Sequence, residues 1–249
     1  MMNMVKGLLK LVLKFLFLST TFFYFVKNVA AQENYESRAL VVPSQEAIIS
    51  SEIAARIENV GVKEMDRFQK GDLLIQFDCS LYEAQKDVVS ANANSALIKL
   101  KSDEQMLQMR SIGKYELELS KSEFEKAKAE LHIAELNVER CSISAPFDGA
   151  VEEVLINAYE GVQPQVELMK IIQTDVLELE MVVSSEWISW LTIGHPVKVF
   201  IDEIQKEFNA SISGIGANVD AVSQTIQLKG TITDVSPALL PGMSGRVIF

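Results

Sequence analysis

CSLYEAQKDVVSANANSALIKLKSDEQMLQMRSIGKYELELSKSEFEKAKAELHIAELNVERC, the stretch from Cys79 to Cys141, decides how the rest of the chain is read. It holds no proline and a single glycine, Gly113, close to its middle. Apolar or small residues recur at alternating spacings of three and four. On the first arm they are Leu81, Ala84, Val88, Ala91, Ser95, Ile98, Ser102, Gln105 and Met109. On the second they are Leu117, Ser120, Phe124, Ala127, Leu131, Ala134, Val138 and Cys141. That rhythm is a heptad seam, which demands a partner helix along its length. The nearest partner is the other arm, reached by a turn at Arg110 to Tyr115 in which Gly113 is free to take a left-handed conformation. The spacing predicts an antiparallel helical hairpin whose arms are roughly 40 Å long at about 1.5 Å per residue. Few large apolar residues occupy the seam, and Ser102 and Gln105 sit in it, so the hairpin should be slim and loosely held toward its tip.

Cys79 lies just before the first arm and Cys141 just after the second. A hairpin folded near Arg110 brings them side by side at its base, where a disulfide is geometrically reasonable in an oxidising compartment. Two buried free thiols are the alternative. The compartment is set by Met1 to Ala31. Lys6, Lys10 and Lys14 lead into an apolar run from Phe15 to Val26, and Val29-Ala30-Ala31 supplies small residues for cleavage before Gln32. This is the layout of a secretory signal peptide. An uncleaved anchor is the rival reading, although Lys10 and Lys14 interrupt the span. Both readings export the rest of the chain. Four of the 23 basic residues fall in that leader, leaving 19 against 34 acidic ones in the exported part, a net charge near −15. Such a surface repels phosphate backbones, so nucleic acid is an unsuitable partner.

On either side of the hairpin are short β-rich runs that cannot form a stable sheet alone. Laid over each other at a shift of 94, Ile57-Glu58-Asn59-Val60 falls on Val151-Glu152-Glu153-Val154, Val62 on Ile156, Asp66 on Glu160 and Phe68 on Val162. With one inserted residue, Leu73-Leu74 then lies over Leu168-Met169. Two copies of one half-motif, each unable to bury its apolar face, should close into a small β-sandwich with the hairpin inserted between the halves. From Thr174 onward, strands and turns alternate at the spacing of a small barrel. Leu177 to Val183 alternates strictly at its start, and Ser184-Ser185-Glu186 caps a short helix carrying Trp187, Ile188 and Leu191. Further strands are expected at Ala210 to Ile215, Thr225 to Thr233 and Ser244 to Phe249. The fold class is α+β and mainly β: a sandwich interrupted by a long antiparallel α-helical hairpin, then a small β-barrel.

No constellation of catalytic groups is visible. His132 lies on the wet side of the second arm, and His195 in a Gly-His-Pro turn. Two histidines and two distant cysteines make no zinc spacing. No serine sits in a Gly-x-Ser-x-Gly elbow, and Gly214-Ile215-Gly216 is too short for a dinucleotide fingerprint. The reading is of a protein that is not an enzyme and has no catalytic, cofactor-binding or metal site. What remains is shape, and a long projection serves to reach another protein. The candidate partner-binding surface is the hairpin tip, Arg110, Ser111, Ile112, Gly113, Lys114 and Tyr115, which places two basic residues with an apolar and an aromatic one on an acidic molecule.

Ile143-Ser144-Ala145-Pro146-Phe147-Asp148-Gly149-Ala150-Val151 resembles the I-x-A-P-F-D-G-x-V that opens the second lipoyl half of the periplasmic adaptor subunits, or membrane fusion proteins of the HlyD type. Gly71-Asp72-Leu73-Leu74 followed by Asp78 is similar to the end of that family's first half. Pro241-Gly242-Met243-Ser244-Gly245 is similar to its P-G-M near the end of the barrel. The resemblance covers nearly everything after the leader. It implies a lipoyl-like domain in two halves, 44–78 and 142–173, an α-helical coiled-coil hairpin at 79–141, and a β-barrel from 38–43 and 174–249. It also implies a periplasmic adaptor at the inner membrane of a Gram-negative bacterium. Such an adaptor links an inner-membrane transporter (ABC, RND or other) to a TolC-like outer-membrane channel, as a homo-oligomer, in an efflux or secretion pump. Within the resemblance Ser120 carries over as a channel-docking residue, whereas the family's arginine before the turn is unmatched: Leu107 stands about where it would fall, and Arg110 is displaced. Lipoyl and biotinyl carriers present a lysine at the turn between the halves. Here the hairpin replaces that turn, so no carrier cofactor is expected. The other functional reading is an exported coiled-coil scaffold or binding module without a transporter.

Overall fold

The computed structural model describes residues 35–249. The leader expected over Met1 to Ala31 lies outside the described residues, among which no helix is long and apolar enough to cross a membrane.

Alternating burial organises the barrel. Along β10 (Leu177–Ser184), Leu177, Leu179, Met181 and Val183 point inward while the residues between them face out. This is the period of two that a strand with one wet face requires. β10 joins β1 (Glu36–Pro43), β11 (Pro196–Ile201), β12 (Lys206–Asp220), β13 (Thr225–Ile232) and β14 (Ser244–Ile248). They close into a six-stranded antiparallel barrel in the order β1-β10-β13-β12-β11-β14. Its interior is filled by Val41, Leu179, Val199, Ile201, Leu228 and Val247, all fully buried. The helix expected after β10 is a short 3-10 turn, Ser185–Ser189, with Ser184 Oγ accepting from Glu186 N–H. β12 is longer than its sequence pattern suggests. It runs past Ile215 to Asp220, with register shifts between Ile212 and Gly214 and between Ile215 and Val219. Such bulges break the alternation by which a strand is recognised.

Eight short strands build the second body. β2 (Glu46–Ser50), β9 (Glu167–Gln173), β7 (Gly149–Val154) and β4 (Arg67–Phe68) form one sheet, in that order. β6 (Ser142–Ser144), β5 (Leu73–Phe77), β3 (Ala55–Val60) and β8 (Gly161–Val162) form the other. Each sheet takes two strands from residues 46–77 and two from residues 142–173, so neither segment has a core without the other. Ile57, Phe68, Leu74, Phe77, Val151, Val162, Leu168 and Ile171 share that one core. The pairings obey the internal repeat: β3–β5 and β3–β8 in one sheet match β7–β9 and β7–β4 in the other. The inserted residue expected at Leu73 is not there. Gly61 N–H donates to Leu74 O at 2.8 Å, and Leu155 N–H to Leu168 O at 2.9 Å. These bonds hold the shift at 94 and lay Leu74 over Leu168 and Ile75 over Met169.

Between the hydrogen-bonded neighbours β5 and β6 the chain leaves the sheet as two long helices, α1 (Ser80–Gln108) and α2 (Lys114–Glu139). They run antiparallel and pack mainly on each other. On α2 the less exposed residues are those of the expected seam, Leu117, Ser120, Phe124, Ala127, Leu131, Ala134 and Val138. On α1 they are not. All nine residues expected to face the partner, from Leu81 to Met109, are exposed, and the inner positions are Tyr82, Lys86, Val89, Ala93, Ala96, Leu100, Asp103 and Leu107. The reason lies at the base. Tyr82 packs against the core of the two sheets and its hydroxyl donates to Ala54 O at 3.2 Å. Turning Tyr82 inward rotates the whole helix, at about 100° per residue, away from the more apolar stripe.

Candidate functional site

α1 ends in a left-handed residue, and that residue is Arg110 with φ 57°, not Gly113. Ser111 N–H reaches back to Met106 O at 2.8 Å and Arg110 N–H to Leu107 O at 2.9 Å. This is the Schellman pattern, in which the position after the C-cap must be left-handed and glycine is the usual occupant. Gly113 instead is extended (φ −87°, ψ 161°) and is the N-cap of α2. A Cβ on it would meet nothing within 4 Å. The expectation failed because the carbonyls at the end of α1, rather than the space around the glycine, decide where the chain reverses.

The turn brings Arg110, Ser111, Gly113, Lys114 and Tyr115 together on an exposed surface, with Ile112 half-buried beside them. Tyr115 is 82% exposed. Ser120 does not share that surface. It is 1% exposed, and its Oγ donates to Leu117 O at 3.0 Å, so it faces α1 within the helix pair. A small residue there lets the helices approach closely, a structural reason for serine at that position.

At the other end the helices are fastened to the body. Cys79 and Cys141 are joined by a disulfide with Cα atoms 5.7 Å apart. Phe77 N–H donates to Cys141 O at 2.8 Å, and Arg140 Nε pairs with Glu52 at 2.8 Å. Asp78, immediately before α1, accepts from Ser80 Oγ at 2.7 Å and from Arg56 Nη2 at 2.8 Å. The bonds from Ser80, then the Arg56 guanidinium, hold its carboxyl below the ordinary value of 3.8. Along the helices Lys99 pairs with Glu123 at 2.6 Å, which raises the lysine above its ordinary 10.5.

The remaining chemistry-bearing residues stay apart. His132 is 3.8 Å from Glu135 on the exposed side of α2. His195 stacks edge-on against Trp190 at 5.5 Å. Among the described residues no group of histidine, cysteine, aspartate or glutamate is placed to hold a metal ion. One feature the sequence reading missed is the aromatic cluster that caps the barrel. Trp187 of the 3-10 turn and Trp190 just after it contact Tyr35 and Phe249 at ring distances of 4.8 to 6.3 Å. Two tryptophans three apart after a capping serine were the available signal.

No family model matches the chain. It is 24% identical over 210 residues to an uncharacterized protein of Haemophilus influenzae, spanning 84% of this chain and 55% of that one. It is 22% identical over 255 residues to the multidrug export protein EmrA of the same organism, spanning 78% of this chain and 64% of EmrA. The chain thus covers less than two thirds of the length of these curated relatives. Among solved structures, it superposes on a MacA–MexA chimera containing the Pseudomonas aeruginosa MexA α-hairpin domain with a TM-score of 0.74, at 18% identity, over 86% of this chain and 80% of that one. It superposes on the membrane fusion protein Spr0693 of Streptococcus pneumoniae R6 with a TM-score of 0.69, at 15% identity, over 86% of this chain and 98% of that one. The chain has the membrane fusion protein fold. In this example of that fold, the stretch from Ala145 to Val151 locks the two halves of the eight-stranded body. Ala145 exchanges backbone bonds of 2.9 Å with Gly71 and Asp72, and Asp148 Oδ1 accepts from Lys70 N–H at 2.7 Å. Gly149 is required by close approach, since a Cβ there would lie 2.2 Å from Ile172 O.

Proposed function

We propose that this chain is the periplasmic adaptor of a tripartite efflux or secretion pump, linking an inner-membrane transporter to a TolC-like outer-membrane channel in several copies. It works by assembly and not by catalysis. In this reading residues 44–78 and 142–173 are the halves of a lipoyl-like domain, 79–141 is the coiled-coil hairpin that reaches the channel, and 38–43 with 174–249 is the barrel nearer the transporter. The observation that carries it is the insertion itself: two helices of 29 and 26 residues leave a small β body between adjacent strands and are clamped where they leave it. The fold match and the likeness to a multidrug export protein support it. An ordinary enzyme has no need of such a rod.

The test is recovery of partners. The tagged chain, extracted from membranes in mild detergent, should bring down an inner-membrane transporter of the ABC, RND or another export class, identified by mass spectrometry. Recovery of soluble periplasmic proteins with no transporter would replace the adaptor by an exported coiled-coil scaffold.

A further inference from the structure

The aromatic cluster closes one end of the barrel, and the exposed apolar residues of the barrel collect there. Glu36 with Ile248, Ser184 with Thr225 and Asp220 with Thr225 are the last rungs of their ladders. Tyr35, Phe249, the 3-10 turn and the loop between β12 and β13 therefore lie at the same end. The link to the eight-stranded body is at the other end, where Pro43 pairs with Leu177. Beside the cluster, Ile193 is 70% and Val222 96% exposed, and Ile188 on the 3-10 turn is exposed as well. Val222 is held out on a fixed loop: Asp220 Oδ1 accepts from the N–H groups of Val222 and Ser223, both at 2.9 Å. Ser185 N–H donates to Gln224 O at 2.9 Å and ties that loop to the 3-10 turn. Apolar residues exposed singly are ordinary on any surface. Gathered at one end around both tryptophans of the chain, they form a patch with a use.

We infer that this end of the barrel seats in the interfacial layer of a phospholipid bilayer, with Ile193 and Val222 reaching toward the acyl chains. Tryptophan and tyrosine, each an apolar ring with one polar hydrogen, suit the layer between water and hydrocarbon. Aliphatic side chains beside them add the burial that makes such binding favourable. The position of the patch in the chain points to a membrane and not to a protein surface. Residues 27–34 separate Val26, the last of the leader's apolar run, from Tyr35 in the cluster. Eight residues reach at most about 30 Å. A leader kept as an anchor would therefore enter the bilayer close to this end of the barrel. The same end carries Glu36, Glu186 and Asp220 exposed. It thus fits a zwitterionic lipid surface better than an anionic one. The inference goes beyond the adaptor reading, because it assigns a lipid contact to the barrel itself.

The test uses residues 32–249, which hold every residue of both cores, so that the leader contributes nothing to binding. The probe is a phosphatidylcholine vesicle with acyl chains brominated midway. Because Trp187 and Trp190 are the only tryptophans, their fluorescence reports on this end alone. Their emission should shift to the blue and be quenched, and the protein should float with the vesicles. Ile193→Asp with Val222→Asp should lower the bound fraction by roughly tenfold or more, with the unfolding midpoint unchanged. Leu240→Asp, at the opposite end of the barrel, should bind as the parent does; an equal loss there would overturn the assignment. Replacing part of the lipid by phosphatidylglycerol should weaken binding at low salt and less so at high salt. Stronger binding to the anionic vesicles would mean adsorption through another surface and overturn it too. So would unquenched tryptophans with every vesicle; loss of transporter recovery by the double variant would then assign the patch to a protein contact. The vesicles contain no transporter, so failure here leaves the adaptor reading standing, and failure to recover a transporter leaves the lipid contact standing.

Discussion

Met65 and Tyr159 occupy the same place in two halves of one body. Both have φ 70°, and each donates its N–H to the second strand of the opposite half, Met65 to Val151 O at 3.0 Å and Tyr159 to Ile57 O at 2.8 Å. The equivalence continues six residues on, where Gly71 (φ 92°) is matched by Gln165 (φ 71°). In the first half the left-handed position is given to glycine, which adopts it freely. In the second a glutamine is held there by its neighbours, Gln165 N–H donating to Ser51 O at 2.7 Å. The geometry is set by pairing between halves, and side chains have diverged around it.

Left-handed residues other than glycine make a prediction at both ends of the molecule. Arg110→Gly and Gln165→Gly should each stabilise the protein by a few tenths to about 1 kcal/mol, the relief of strain being partly offset by the greater freedom of glycine in the unfolded chain. Gly113→Ala, by contrast, should be nearly neutral because its φ is −87°. Urea unfolding measures all three. A marked loss of stability in G113A would show that the reversal depends on Gly113 after all.

The Cys79–Cys141 bridge closes a loop with a sequence separation of 62 residues. Replacing both cysteines by serine should cost about 2 to 4 kcal/mol, most of it through the freedom restored to the unfolded chain. Non-reducing mass spectrometry of the exported protein should show two hydrogens fewer than the free-thiol form. Free thiols in fresh periplasmic extract would remove the clamp from the account.

Asp78 contributes stability on the acid side. Its carboxyl is held below its ordinary 3.8 by Ser80 and then Arg56. The folded protein therefore binds this proton less readily than the unfolded chain. The contribution is complete above the unfolded value, and is lost as pH falls below 3.8 through the folded one. Asp78→Asn should lower stability at neutral pH and flatten this acid-side dependence. A variant with the same slope below pH 4 as the parent, in thermal unfolding, would contradict it.

Ile112→Asp combined with Lys114→Glu should abolish export while leaving the unfolding midpoint of the body unchanged, because the turn lies far from either core. Unaltered export by a stably folded double variant would remove the tip as a docking surface.

Much of the architecture was legible because short-range patterns act where nothing overrides them. Leu177 to Val183 alternates cleanly and forms β10 with its odd-numbered residues inside. The α2 seam could be read because its apolar stripe is the one that faces α1. α1 misled for the opposite reason. Two stripes satisfy the same periodicity, and the choice between them is made by Tyr82 and Ala54, a contact spanning 28 residues that no local pattern reveals. Ser120 illustrates a further limit: spacing placed it on the helix, but only the packed pair shows that it points inward.

Because β5 and β6 remain hydrogen-bonded neighbours, with Gln76 opposite Ser142, the sheet pairing runs unbroken across the base of the rod, and only the first turn of α1 enters the core. Reach and foundation are therefore separable inheritances. Seven residues added to each arm would lengthen the rod by about 10 Å and keep every stripe in phase. One foundation can thus be fitted to gaps of different width, by insertions and deletions that never touch a sheet.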